Sequence, residues 1–317
     1  MDFFNEKTPI CMAGTWAWGT GSNGSRIVFG HKYPKEQLKE TFEEARDKGI
    51  CLWDTAEVYG MGEAERILGE FIRGKKDVLV STKFHANPKY KKGEAKEALK
   101  NSMQRLGVEK VNIYWLHRPY NIRENMQEIA ECMQKGQVEN IGISNCNVEQ
   151  IKEAQEVLSE QGISLYAVQN HYSLLSMERQ KDVYEYCREN HIIFFGYMVL
   201  EQGALSGHYD EKKPMPLFSY RGLSFGKKKF RKIGKLLDYQ RKLAVQYNVD
   251  ASQIPIAWAI AKGVVPIVGL TKKRHANELI KGIHVKLSKT EIEQLEKLAL
   301  ESGVTCKGSW EKWNGGA

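Results

Sequence analysis

No apolar run in this chain approaches the roughly 20 residues that a membrane-crossing helix requires, so a membrane span is not expected. The first residues, Met1-Asp-Phe-Phe-Asn-Glu-Lys7, are not a basic segment followed by an apolar one. The expectation is therefore no signal peptide and a cytoplasmic chain. Six cysteines (11, 51, 132, 146, 187 and 306) are scattered, and none forms a C-x-x-C pair. Metal-ligand spacing is lacking, and no metal is expected. Acidic residues are outnumbered, 39 against 47 Lys and Arg, which gives a net charge of +8. Basic stretches lie at 89–100 and 226–235, but no nucleic-acid-binding motif accompanies them. They read as a lysine-rich solvated surface, with a phosphate-bearing small ligand as the next reading and no nucleic-acid partner. What remains is ordinary: 317 residues, 42% apolar and 27% charged, a globular composition. The length alone allows one large domain or two smaller ones.

Short apolar runs recur along the chain. They open at Cys51, Val78, Val111, Val138, Leu165, Ile192 and Val264, with an eighth candidate at Ile10. Most are rich in β-branched and aromatic residues and have the length of buried strands. Helical patterns alternate with them. One starts at Lys35 with Leu38, Phe42 and Ala45 on a face and stops at Gly49. A second runs from Glu94 to Gly107, a third from a capping Asn147 to Gly162, and a fourth starts at a capping Ser176. Side-chain oxygens cap free N–H groups at such starts, and glycine accepts the left-handed exit. The strand-like runs end on Asp54, Lys83, His117, Ser144, Gln169, Tyr197 and Gly269. The first five spacings lie between 25 and 34 residues, one strand-helix unit each, and the last, 72, leaves room for a long insertion. Alternating units argue for a parallel sheet, either an open doubly wound one or a closed (β/α)8 TIM barrel. Polar residues repeatedly closing apolar strands favour the barrel, because it gathers every strand end at one mouth. One domain then spans 1–317, with long loops over that mouth at about 16–33 and 207–235 and a C-terminal tail.

The stretch Gly19-Thr-Gly21-Ser-Asn-Gly24 matches G-x-G-x-x-G. That motif holds pyrophosphate only where its last glycine opens a helix. Gly30 and Pro34 follow without helical periodicity. It reads as a loop above the first strand, with Trp16 and Trp18 facing the mouth.

Asp54, Lys83 and His117 end successive strands, and Tyr59 lies five residues beyond Asp54. Carboxylate, ammonium, imidazole and phenol at one mouth make a proton-transfer site. A phenol alone holds its proton too tightly at neutral pH, and a nearby ammonium lowers its pKa. A carboxylate behind the lysine fixes it, and a histidine can orient a carbonyl oxygen.

These segments resemble the aldo-keto reductase family over nearly the whole chain. Trp53-Asp-Thr-Ala-Glu-Val-Tyr-Gly60 is similar to its D-T-A-x-x-Y-G signature. Val80-Ser-Thr-Lys83 is similar to its lysine strand and Trp115-Leu-His-Arg-Pro119 to its histidine strand. Gly142-Ile-Ser-Asn145, the run from Val168 through Ser173, and Gln202-Gly-Ala-Leu-Ser-Gly207 follow in the family's order. The resemblance implies a barrel and hydride transfer with NADPH or NADP+, and NADH less. Tyr59 would be the general acid for carbonyl reduction and the base for alcohol oxidation. Lys83, paired with Asp54, would lower its pKa, and His117 would hold the carbonyl.

The family pattern also implies cofactor contacts. Ser144, Asn145 and Gln169 would hold the nicotinamide carboxamide, and Tyr197 would stack on its ring. Leu200, Gln202, Gly203, Leu205, Ser206 and Gly207 would line the pyrophosphate. Gly269, Thr271, Lys272, His275 and Glu278 would hold the adenosine and its 2′-phosphate, with Gly14, Thr15, Trp16 and Asp54 completing the pocket. Substrate contacts would come from Trp16, Trp18, Tyr59, His117 and Tyr120. Trp310 and Trp313 in the tail pack either at the mouth or on the barrel exterior. Three sites depart from the pattern: Met198-Val199 replaces a serine-proline, Tyr120 an acidic residue, and Leu279 the asparagine of an E-N pair. The substrate is a small carbonyl or alcohol compound of unspecified class, with hydroxysteroids among the candidates. A nucleotide-binding regulatory subunit resembling ion-channel accessory subunits is the alternative. That branch carries asparagine where this chain has His117, which favours an enzyme.

Overall fold

The computed structural model describes residues 9–21, 24, 30, 32–216, 220–308 and 311. Strands form within the apolar runs: β1 (Met12–Gly14), β2 (Leu52–Asp54), β3 (Leu79–Phe84), β4 (Val111–Leu116), β5 (Val138–Ser144), β6 (Ala167–His171), β7 (Ile193–Tyr197) and β8 (Val265–Gly269). Each pairs in parallel with the next, and β1 pairs with β8. That last ladder, Met12 with Ile267 and Gly14 with Gly269, closes the (β/α)8 barrel and excludes the open sheet.

Strand side chains alternate between two faces, and the sequence exploits this at every unit. Leu52, Ile113, Trp115, Ala167, Phe195, Val265 and Ile267 join Met12 in the barrel interior. Trp53, Val80, Tyr114, Leu116 and Val168 face the helices. Each large side chain buried this way contributes about 1.5–3 kcal/mol. Trp115 sets the shape of the interior. Its ring meets Phe195 edge-on at 5.5 Å, and its Nε1 donates to Ser81 Oγ at 2.6 Å. A Cβ at Gly142 would lie 2.2 Å from that indole, so only glycine fits beside it. Two residues beyond the interior layer, the same face presents Asp54, Lys83, His117 and Ser144. The alternation that buries the core thus also aims the strand-end polar groups at the mouth.

The surrounding helices are α1 (Lys35–Asp47), α2 (Glu63–Ile72), α3 (Glu94–Leu106), α4 (Ile122–Gln134), α5 (Val148–Ser159) and α6 (Lys181–Glu189). After β7 come α7 (Tyr220–Ser224), α8 (Lys227–Lys232), α9 (Gly234–Tyr247) and α10 (Gln253–Ala261), and after β8 come α11 (Lys273–His284) and α12 (Lys289–Glu301). Helix α1 buries Leu38, Thr41, Phe42 and Ala45 along one stripe. Asn147 caps α5 in a reciprocal box with Gln150, each side chain taking the other's backbone N–H at 2.9 Å. The expected helix start at Ser176 is corrected. Its Oγ instead accepts the Ser173 N–H at 2.9 Å, a 3-10 turn covers Met177–Gln180, and α6 opens at Lys181. The long gap before β8 is largely helical, and the tail begins with α12. Among the described residues no helix is long and apolar enough to cross a membrane.

Candidate active site

A cavity of about 440 Å³ opens at the C-terminal ends of the strands. At its floor Lys83, wholly buried, donates to Asp54 Oδ2 at 2.5 Å, to the Thr55 carbonyl at 2.8 Å and to the Tyr59 hydroxyl at 3.4 Å. Asp54 also accepts from Ser81 Oγ at 3.0 Å and Gln169 Nε2 at 3.3 Å. The lysine lies below the lining; Asp54, Tyr59 and His117 are part of it. The His117 ring meets Tyr59 edge-on at 6.0 Å and His85 at 5.4 Å. Among the described residues His117 Nδ1 has no hydrogen-bond partner.

Burial sets the protonation states. Desolvation, then the Asp54 charge, holds the Tyr59 phenol well above its ordinary value. Burial and the Asp54 charge set that direction, and the Lys83 ammonium lies closer to Asp54, at 2.5 Å, than to the phenol, at 3.4 Å. Desolvation also lowers Lys83, with Asp54 opposing it. His117 is pushed well below its usual range by burial, then by Lys83, His85 and Arg118. His85 falls to about 4 through burial and Arg118. The site thus holds a protonated phenol beside a neutral imidazole.

One flank carries amide and hydroxyl groups. Ser144 Oγ donates to the Gln169 carbonyl at 2.7 Å, and Asn145 Nδ2 donates to the His117 carbonyl at 3.0 Å. The Tyr197 hydroxyl donates to Asn145 Oδ1 at 2.6 Å. Gly14, Trp16, Leu200, Gln202, Gly203 and Ser206 extend the lining, and Gly269, Thr271, Lys272, His275 and Glu278 end it. Lys272 is the N-cap of α11 and has no side-chain cap bond, so the helix presents its N-terminal field there. His275 Nδ1 accepts the Thr271 N–H at 3.2 Å, and burial, then Arg274 and Lys272, lowers its pKa to about 4.

Several expected contacts lie elsewhere. Trp18 belongs to the core: its indole packs on Trp53 at 5.2 Å and Phe71 at 5.6 Å and donates to the Leu270 carbonyl at 2.7 Å. A turn in which Trp18 N donates to the Thr15 carbonyl sends the two tryptophans apart, leaving Trp16 near Tyr59 at 6.0 Å. Tyr120 packs against the outer core, Leu205 is fully buried, and Thr15 is bound to the Asp54 carbonyl through Oγ1 at 3.0 Å. Gly207 has φ of +78°, and its Cβ would lie 2.5 Å from Ala251. Its requirement for glycine thus comes from protein, outside the cavity lining. Trp310 and Trp313, with 217–219 and part of 16–33, lie outside the described residues. His85 and Arg274, which the sequence did not single out, are in the lining, as are Tyr33, Arg118, His208, Tyr209 and Arg221, which the sequence placed only within loops or a motif at the mouth. Most sit one or two residues from a motif position or inside the insertion, where no spacing rule marks them.

The Aldo/keto reductase family model matches residues 10–300. The chain belongs to the aldo-keto reductase family. It is 33% identical over 309 residues to a chloroplastic pyridoxal reductase of Arabidopsis thaliana, covering 91% of this chain and 82% of that one. It is 27% identical to an aldo-keto reductase of Schizosaccharomyces pombe named for NADP(+), over 89% of this chain and 87% of the relative. Among solved structures, a glycerol dehydrogenase from Gluconobacter oxydans superposes with a TM-score of 0.79 at 22% identity, over 96% and 95% of the two chains. An aldo/keto reductase from Klebsiella pneumoniae, solved with NADP and acetate, gives 0.71 at 21%, over 92% of each. These two likenesses bear on the fold.

Proposed function

We propose that this aldo-keto reductase is an NADP(H)-dependent oxidoreductase that reduces a small carbonyl compound, with Tyr59 as the proton donor. The observation that carries the reading is the buried Asp54–Lys83 pair with the Tyr59 hydroxyl 3.4 Å from Lys83 Nζ. A donor must hold its proton until the substrate oxygen gains charge. Burial keeps the Tyr59 phenol protonated at rest, so transfer of its proton depends on the Lys83 ammonium 3.4 Å away to offset the charge it leaves behind. Lys83, anchored by Asp54, offsets phenolate charge once the proton leaves. Neutral His117, edge-on to Tyr59 at 6.0 Å, orients the carbonyl oxygen.

The cavity fits a dinucleotide phosphate. Strand-end amides and hydroxyls occupy one flank, the buried Gln202 Oε1 has no partner among the described residues, and Lys272 and Arg274 stand at the α11 N-terminus. Ser144, Asn145 and Gln169 would hold the nicotinamide carboxamide, Tyr197 its face, and Lys272 with Arg274 the 2′-phosphate that separates NADPH from NADH. The bound cofactor supplies the hydride. Trp16, Tyr33 and Val58 form an apolar wall suited to a flat ring, and the named activity of the Arabidopsis relative puts pyridoxal first on a substrate panel.

The test is NADPH consumption by the purified protein with aldehydes, ketones, sugars and steroids, alongside direct NADPH titration. Reduction of at least one class is expected. A protein that binds NADPH and reduces nothing would instead be the regulatory subunit.

A further inference from the structure

Behind the cofactor flank lies a buried ionic cluster that the proton-transfer chemistry does not use. His171, at the end of β6, is 1% exposed. Its Nε2 lies 2.7 Å from Glu201 Oε1 and its Nδ1 lies 2.6 Å from Glu311 Oε1. Both carboxylates are buried, Glu201 at 3% and Glu311 at 1%. Burial works against a charged ring, but Glu201 and Glu311 outweigh it and raise the His171 pKa to about 10. His171 is then a cation between two anions, with both ring nitrogens donating. Glu201 also accepts from Ser173 Oγ. Glu311 accepts from Arg179 at 3.1 Å and from the Gly308 N–H at 2.7 Å, and Arg179 also binds the Cys306 carbonyl at 2.9 Å. Two cations and two anions leave the cluster neutral, and the bonds from His171 and Arg179 to Glu311 and to the Cys306 carbonyl tie the C-terminal tail to the barrel rim.

Two features carry the cluster toward the cavity. The His171 ring stacks on Tyr197, centroids 5.6 Å apart and 21° between planes. Tyr197 continues through its hydroxyl to Asn145, and Asn145 to the His117 carbonyl. The second feature is the turn after β7. Met198, Glu201 and Gln202 all have positive φ, of 60°, 46° and 54°. Such conformations persist in non-glycine residues only where surroundings over-determine them. The anchored Glu201 carboxylate supplies that constraint, and Met198, Gln202 and Gly203 on the same turn line the cavity.

We propose that Glu311 is a positioning residue for the cofactor: acting through His171, it fixes the Tyr197 ring and the 198–203 turn, so that the C-terminal tail governs how tightly NADPH is held. The proposal rests on the NADP(H) reading given above. Loss of the tail carboxylate frees one side of the imidazole, lets the ring tilt, and relaxes the turn it holds. The Asp54–Lys83–Tyr59 geometry is untouched, so binding and release change while proton transfer does not.

The full-length wild type, Glu311→Gln and Arg179→Gln are titrated with NADPH by protein fluorescence, and release is timed by stopped flow. Glu311→Gln is expected to weaken NADPH binding about tenfold, through faster release, with the carbonyl KM at saturating NADPH unmoved. Arg179→Gln keeps His171 and Glu201 and is expected to shift affinity the same way by less. It decides the matter if Glu311→Gln does not fold. Glu128→Gln is the control for general loosening. That carboxylate is equally buried but holds Tyr90 and the start of α3, so NADPH affinity is expected to stay at the wild-type value. Wild-type affinity in both Glu311→Gln and Arg179→Gln overturns the proposal and leaves the cofactor reading standing, as does equal weakening in Glu128→Gln. A wild type that does not bind NADPH overturns both.

Discussion

Replacing Lys83 by methionine separates two contributions of the buried pair. Methionine keeps the length of the side chain and removes its charge, leaving Asp54, 3% exposed, with Ser81 and Gln169 as its donors. Breaking a buried pair from one side costs about 3–5 kcal/mol. The two surviving hydrogen bonds place this case near the lower figure, about 150-fold in the folding equilibrium. The double variant Asp54→Asn/Lys83→Met removes both charges and no longer strands one of them. Neutral replacement of a whole buried pair is close to energetically even, so most of the lost stability should return. Activity should not. Both variants lack the cation that offsets phenolate charge, and NADPH-dependent carbonyl reduction should fall at least about 100-fold, as when one preorganised electrostatic contact is removed. Urea unfolding gives the stability and NADPH consumption gives the rate. A double variant as unstable as Lys83→Met would refute the stranded-charge argument. One that reduces carbonyls at the wild-type rate would remove Lys83 from the proton step.

Tyr59→Phe deletes one hydroxyl whose contact with Lys83 is 3.4 Å, so folding and NADPH affinity should be retained while kcat falls about 10²–10⁴-fold; turnover near the wild-type rate contradicts the donor role. Burial pushes the Glu57 carboxyl up to about 7 from 4.5, with the His85 N–H opposing it. The folded state therefore binds an extra proton across that window, and stability is lost as pH rises from about 4.5 to about 7. Glu57→Gln should flatten that slope in pH-dependent denaturation, and an unchanged slope counts against the assignment. Lys272→Ala combined with Arg274→Ala should weaken NADPH at least about tenfold, the scale of one charge-assisted hydrogen bond, and leave NADH unchanged; equal losses for both cofactors would remove the 2′-phosphate from this corner.

Much of the barrel can be read in the sequence because period-two burial ties each core residue to a strand-end polar group. Leu52 commits Asp54 to the same face, and Trp115 commits His117. The fate of Trp18 is not legible in this way. Trp16 and Trp18 share a short loop, and only the turn closed by the Thr15 carbonyl sends one to the cavity and the other under Trp53. Ser176 resembles a helix cap, but a local bond to Ser173 takes its oxygen first. The protonation of Tyr59 also escapes the sequence. The ordering of Asp54, Lys83 and phenol is visible, whereas the distances that decide which charge the phenol feels are not. The His171 cluster is the extreme case, since its carboxylates lie 30 and 140 residues away.

The glycine-rich turn near the N-terminus has a meaning for protein engineering. A Cβ at Gly19 would lie 2.9 Å from Gly60 Cα, and one at Gly60 would lie 2.7 Å from Gly19 Cα. Two backbones therefore cross without side chains, directly beside Tyr59, while Thr20 N is held by Glu63 at 2.5 Å. The 19–21 turn and the segment bearing Tyr59 are thus expected to exchange only as a single cassette. Grafting that loop from a relative should succeed only when 19–21 and 60–63 are transplanted together, which limits how freely loop recombination can retune specificity on this barrel.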